Sequence, residues 1–393
     1  MNNPDLDLFT LDDTENEDDI QGSNATIFAD TVISDSDWTA ETILSQLKKG
    51  NILLNPAFQR RDAWTNQRKS RFIESLFLGL PIPQIVLAES QTSKGKFIVI
   101  DGKQRLLSLL RFALDDENPL KLCKLDIRTD LNGKTFRQLV DSPLTVDDVA
   151  AFENQTIRTT VIRRWNNENV LYLIFYRLNS GSVPLSPQEL RHVLHPGGFI
   201  DFAFAFSENS EQLIDLMGSK GKPDFRMRDV ELVIRYFAFS KFIDTYAGDL
   251  KQFLDDTTLI LNDTWDDHQT QIKAHAEYLN LALETTRKIF SDDAFHKWTP
   301  KGFEKRMNRA IFDCMVFYFS TPAIVSAISG HEVQIKDEFK RLCAEDPKFL
   351  QSLETTTKST TATFTRLLTW GKSLHLILGI PIPELGLLEQ KLG

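Results

Sequence analysis

Between Ile98 and Leu110, in IVIDGKQRLLSLL, the apolar pattern changes its period. Phe97–Ile100 is a run of β-formers. From Gln104 the apolar residues Leu106, Leu107, Leu109, Leu110 and Phe112 fall at helical spacing. A strand therefore feeds directly into a helix through Asp101-Gly102, and the fold must provide a sheet for the one and a covered face for the other. Such a joint leaves unpaired backbone N–H groups at the helix start. Those groups and the helix dipole favour an anion. Gly102 has no Cβ, so a ligand or another chain can approach closely. Arg105 lies about one turn in, where a guanidinium can make two parallel bonds to a phosphate. Asp101 has three uses open to it: capping the helix, holding Arg105 or coordinating Mg²⁺. Gln104 adds neutral donors and an acceptor. The plain alternative is an Asp-Gly turn that only shapes a helix start, and spacing alone does not choose between the two.

The flanking sequence supplies the partners of this joint. NPAFQRRDAWTNQRKSRFIESLFLGLPIPQIVLAE carries Phe72, Ile73, Leu76, Phe77 and Leu80 at helical spacing, with a stop at Gly79, Pro81 and Pro83. QIVLA and FIVI then read as strands around the turn ESQTSKGK. Upstream, DWTAETILSQLKKG reads as a helix capped by Asp37 or Thr39 and ended by Gly50. Residues 119–163 read as short strands and loops, among them LKLCKLDI and TIRTTVI, and ENVLYLIFYRL as a helix. Ser186, Pro187 and Glu189 form a capping-box helix start. From about residue 200 the pattern is almost wholly helical. The expected fold class is α+β, with a small mixed sheet and helices over 38–195 and a mostly α-helical domain over 196–393.

The net charge of −10 is concentrated at the N-terminus. Residues 1–20 hold eight acids and no base, which leaves the remainder near −2. Residues 1–37 are read as an acidic, disordered leader. Cys123, Cys314 and Cys343 are widely spaced and show no CxxC pattern, so neither a disulfide framework nor a zinc site is expected, and a cytoplasmic setting fits. No basic-then-apolar leader opens the chain, and no apolar run reaches the ~18 residues of a membrane helix.

Other clusters have bland and functional readings side by side. Arg68, Lys69 and Arg71 make either a solvated helix face or a contact to a DNA backbone. Lys301, Lys305, Arg306 and Arg309, with Phe303 among them, pose the same choice. Trp64 reads as a packing anchor. His192 and His195 have no partner at metal-site spacing and read as cap and surface residues. EVQIK at 332–336 reads as helix rather than as part of a nuclease centre.

DGKQRLLSL resembles the Asp-Gly-x-Gln-Arg motif of the N-terminal domain of GmrSD-type restriction enzymes. The family's first motif resembles the stretch with Gln59-Arg60, Trp64, Glu74-Ser75 and Pro-Ile-Pro. Its third resembles FYRLNSGSVPLSPQELR, with Asn179, Gly181, Leu185 and Glu189-Leu190-Arg191, and RMRDVELVIRYFAF is a looser fourth. The resemblance covers roughly residues 38–245. It implies a fold similar to partition protein B and sulfiredoxin, in which the strand–turn–helix and its terminal arginine bind nucleotide phosphates. It further implies binding or hydrolysis of a nucleoside triphosphate with Mg²⁺, gating DNA cleavage with a separate nuclease subunit. The implied site is Asp101, Gly102, Gln104 and Arg105, with Gln59 and Arg60, and with Asn179 and Arg191 nearby. Asp101 and Arg105 would be the catalytic pair and Asp101 the metal ligand. Where the family's usual third residue is glutamine, this chain has Lys103, which would also suit a phosphate. Related proteins often carry a C-terminal His-Asn-His module, and none is visible here. Two alternatives stay open: a non-catalytic DNA- or protein-binding module, and a DNA endonuclease with an unrecognised site.

Overall fold

The structure is a computed structural model that describes residues 28–54, 62–178, 186–217, 223–354 and 358–392. It is α+β and divides into two compact units, one within Ile20–Leu194 and one within His195–Gly393.

The first unit is built on a five-stranded mixed sheet. Its strands are β1 (Val32–Thr39), β2 (Ile52–Leu53), β3 (Ile85–Glu89), β4 (Phe97–Asp101) and β5 (Thr156–Arg163), in the order β1-β5-β3-β4-β2. β3 runs parallel to β5 and antiparallel to β4, and β4 runs parallel to β2. IVLA and FIVI are continuous apolar runs because these central strands are buried on both faces. Ile85, Leu87 and Val99 face one core with Ile43, Leu47, Phe72, Leu76, Leu106 and Leu109. These come from α1 (Ala40–Lys48), α2 (Asn66–Phe77) and α3 (Lys103–Ala113). Val86, Ala88, Ile98 and Ile100 face the other core. There they meet Val170, Phe175 and Leu190 of α6 (Glu168–Leu178) and α7 (Pro187–Leu194). Two short helices, α4 (Phe136–Val140) and α5 (Val146–Asn154), lie between α3 and β5 in the chain.

Thr39 caps α1, its Oγ1 accepting the Thr42 N–H at 3.1 Å. Residues 32–37, read as leader, are instead the outer strand. VISDSDWT shows no apolar face because β1 is a largely exposed edge, held by its antiparallel ladder to β5. The Thr160 hydroxyl donates to Asp35 at 2.7 Å, and with Arg158 it holds that carboxyl below its usual range. LKLCKLDI forms no strand; its leucines are buried, but its backbone N–H groups go to turns and to the side chains of Ser70, Glu74 and Asn132.

The second unit is helical apart from one hairpin. Its helices are α8 (Gly198–Asn209), α9 (Glu211–Leu216), α10 (Arg228–Phe242), α11 (Leu250–Asp263), α12 (Trp265–Phe290), α13 (Arg309–Phe319), α14 (Pro322–Ile328), α15 (Glu332–Glu345), α16 (Pro347–Glu354), α17 (Thr360–Leu378) and α18 (Glu384–Leu392). The hairpin, β6 (His296–Thr299) with β7 (Gly302–Met307), interrupts a region that the sequence reads as almost wholly helical. Asn262 caps α8 across space: its Oδ1 accepts the N–H groups of Phe199 and Ile200 at 3.0 and 3.1 Å. A Cβ at Gly198 would fall on the Trp265 indole, which is why two glycines open that helix. His192 and His195 are not surface residues; both are buried, and His195 Nε2 lies 3.8 Å from the buried Asp255 carboxylate. EVQIK lies in α15, as its pattern predicts. The Cys314 and Cys343 thiols are buried, and burial pushes both up to about 12. Among the described residues no single helix is long and apolar enough to cross a membrane.

One half-buried group makes this unit sensitive to acid. His275 lies between the Ser240 and Tyr236 hydroxyls, at 3.0 and 3.2 Å from Nε2. Burial, with Lys241 second, pushes its imidazole down to about 4 from 6.5. The folded state therefore prefers the neutral ring. Its contribution is present above pH 6.5 and is lost as pH falls towards 4, because the unfolded chain takes up the proton first. Thermal melts from pH 7 to pH 4.5 are expected to show falling stability, with a shallower slope in His275→Gln.

Candidate nucleotide-phosphate site

β4 ends at Asp101 and α3 begins at Lys103, with Gly102 between them at φ +99°. That left-handed conformation suits glycine. The space does too: a Cβ would sit 3.1 Å from Ile85 Cγ1 and 3.3 Å from Arg105 Nη2. No side chain caps α3, and its first turn holds no acid. Asp101 is therefore not a cap. Its Oδ2 accepts from Arg105 Nη2 at 2.7 Å, and the same nitrogen donates to the Gln84 carbonyl at 2.9 Å. The Arg105 side chain is 6% exposed.

Two donors here have no acceptor among the described residues. Arg105 Nε is buried without a hydrogen-bond partner. So is the indole Nε1 of Trp64, whose backbone N–H donates to Gln104 Oε1 at 3.1 Å. An unsatisfied buried donor costs about 1–3 kcal/mol. Both orphans are donors, so their complement is a group that only accepts. Phosphate oxygens are of that kind.

The other expected residues divide. Gln59, Arg60 and Asn179 lie outside the described residues. Arg191 is fully buried in α7, where its Nη1 donates to Gln188 Oε1 at 2.8 Å. Lys103 does not present its ammonium to a ligand; it forms a buried ion pair with Glu189. The charge run on α2 is also engaged. Arg68 stacks 4.7 Å over Trp64, Lys69 pairs with Asp62 while buried, and Arg71 pairs with Asp126 at 3.0 Å. Glu74, quoted only as part of a motif, proves to be a loop anchor: its carboxylate accepts the N–H groups of Ile127 and Arg128 at 2.8 and 2.7 Å.

In the second unit, Arg309 leaves the basic cluster, since it is buried 3.2 Å from Glu231. Lys301 and Lys305 remain exposed on the hairpin. A cleft of about 480 Å³ near Asp215, Glu284 and Arg287 belongs to that unit, and Asp101–Arg105 does not line it.

Mg²⁺ prefers six oxygens and keeps several waters. Among the described residues no three His, Cys, Asp or Glu side chains stand together as a cage. With Oδ2 held by Arg105, a Mg²⁺ ion would rest on Asp101 Oδ1 and draw its remaining ligands from phosphate and water.

Searches of curated proteins and of solved structures found no match to the chain. Residues 40–195 match the model of the family described as GmrSD restriction endonuclease, N-terminal domain, the same family that the ordered motifs resemble.

Proposed function

We propose that the Asp101–Arg105 joint binds the phosphates of a nucleoside triphosphate with Mg²⁺, and that the chain is a nucleotide sensor acting with DNA and a separate nuclease subunit. The observation that carries this is the buried, unspent Nε of Arg105 at a helix start with neither cap nor acid. Phosphate oxygens would accept from that nitrogen and from the first-turn amides. Asp101 Oδ1 would hold the metal, which supplies charge neutralisation. Phosphoryl transfer depends mainly on positioning and charge neutralisation, and Arg105 would serve both. The family match supports the setting, a component of a restriction or phage-defence system.

Calorimetric titration with ATP, GTP, CTP and UTP tests the reading. One nucleotide is expected to bind the wild type with a strong Mg²⁺ dependence. Asp101→Ala is expected to lose that dependence. Failure of all four to bind the wild type rejects the reading. Phosphate release then separates a hydrolase from a binding module, and plasmid nicking with Mg²⁺ tests for an unrecognised nuclease.

A further inference from the structure

The Lys103–Glu189 pair has no part in the phosphate reading, yet it stands at its edge. Both side chains are buried, at 5% and 4% exposure. Lys103 is the first residue of α3, and Glu189 is the third of α7. These helices serve opposite faces of the sheet: Leu106 and Leu109 pack in one core and Leu190 in the other. The second Glu189 oxygen accepts the Ser186 N–H at 2.6 Å, while Ser186 Oγ accepts the Glu189 N–H at 3.0 Å. One carboxylate thus closes the cap of α7 and holds an ammonium at the mouth of α3.

A buried ion pair adds little net stability over apolar residues of similar volume, because both charges are desolvated. What it does have is sensitivity to a third charge. A phosphate at the start of α3 would compete with Glu189 for the ammonium one residue beyond Gly102. Lysine is suited to such an exchange, being a compact charge on a flexible stem. Arg105 is not, since its planar head is already shared by Asp101 and Gln84.

We infer that Lys103 is a charge-responsive latch: nucleotide phosphate at the joint draws its ammonium off Glu189 and loosens the first turn of α7, so that occupancy at one face of the sheet is reported at the other. This rests on the phosphate reading, and it has Lys103 pair with Glu189 in the empty site and with phosphate in the occupied one.

Amide hydrogen exchange on the full chain tests it, with ATP, GTP, CTP and UTP plus Mg²⁺ and with binding followed by calorimetry on the same samples. In the wild type, the nucleotide that binds is expected to speed exchange at Gln188, Glu189 and Leu190 by about tenfold or more. Lys103→Gln keeps a hydrogen bond to Glu189 and is expected to bind nucleotide more weakly and without that response. Glu189→Gln, which keeps the cap acceptor and the lysine, is expected to bind nucleotide and also to lack the response, and serves if Lys103→Gln does not fold. Binding without faster exchange in the wild type overturns the latch alone, as does an unchanged response in a folded variant. No binding of any nucleotide to the wild type overturns the latch and the phosphate reading together.

Discussion

Arg105→Ala is expected to weaken nucleotide binding by about 100-fold or more, the equivalent of one or two charge-assisted hydrogen bonds. The same change strips Asp101 and the Gln84 carbonyl of their donor. Breaking a buried, hydrogen-bonded charge pair costs about 2–5 kcal/mol, and the partial exposure of Asp101 places this one in the lower half. Arg105→Lys separates the two effects. It keeps the charge but cannot span carboxylate, carbonyl and phosphate with one head, so about tenfold weaker binding is expected in a better-folded protein. Calorimetry beside urea unfolding reads both quantities. Wild-type affinity in a folded Arg105→Ala would remove the arginine from the site.

The largest expected loss of stability lies in the helical unit. Asp313 accepts from Arg235 at Nε (3.0 Å) and Nη2 (2.5 Å), and Arg366 lies 3.8 Å away. All three side chains are at most 3% exposed. Asp313→Ala leaves guanidinium charges buried beside an apolar methyl group. The expected cost is about 3–5 kcal/mol, read as a lower urea midpoint. The exposed pair of Arg341 and Glu345, 3.7 Å apart, is the control. Glu345→Ala is expected to change stability by less than about 1 kcal/mol.

The backbone of the joint was legible in the sequence because a change from period 2 to period 3.6 is a local signal. So were the glycine at a left-handed turn, the capping box at Ser186 and the two central strands. What escaped were contacts made across the fold. The pairing of Lys103 with Glu189 spans 86 residues, and nothing in either motif alone announces it. Arg309 reads as part of a basic surface run, but α13 turns it inward to Glu231. His192 and His195 look polar and peripheral in sequence, yet they are buried. β1 was hidden for a different reason: an edge strand held by ladder bonds needs no apolar alternation. The 296–307 hairpin was missed because HKWTPKGFEKR is short and bounded by helices.

The distribution of thiols gives the protein a ready-made handle. Two of its three cysteines are sealed in the core with thiols that hold their protons, and thiolate is the reactive form. Cys123 alone is partly accessible, on the segment anchored to Ser70 of α2. A maleimide dye added to the native, unmutated chain therefore labels one position. That position lies in the same compact unit as Asp101 and Arg105, so a single fluorophore can follow ligand titrations without engineering the protein.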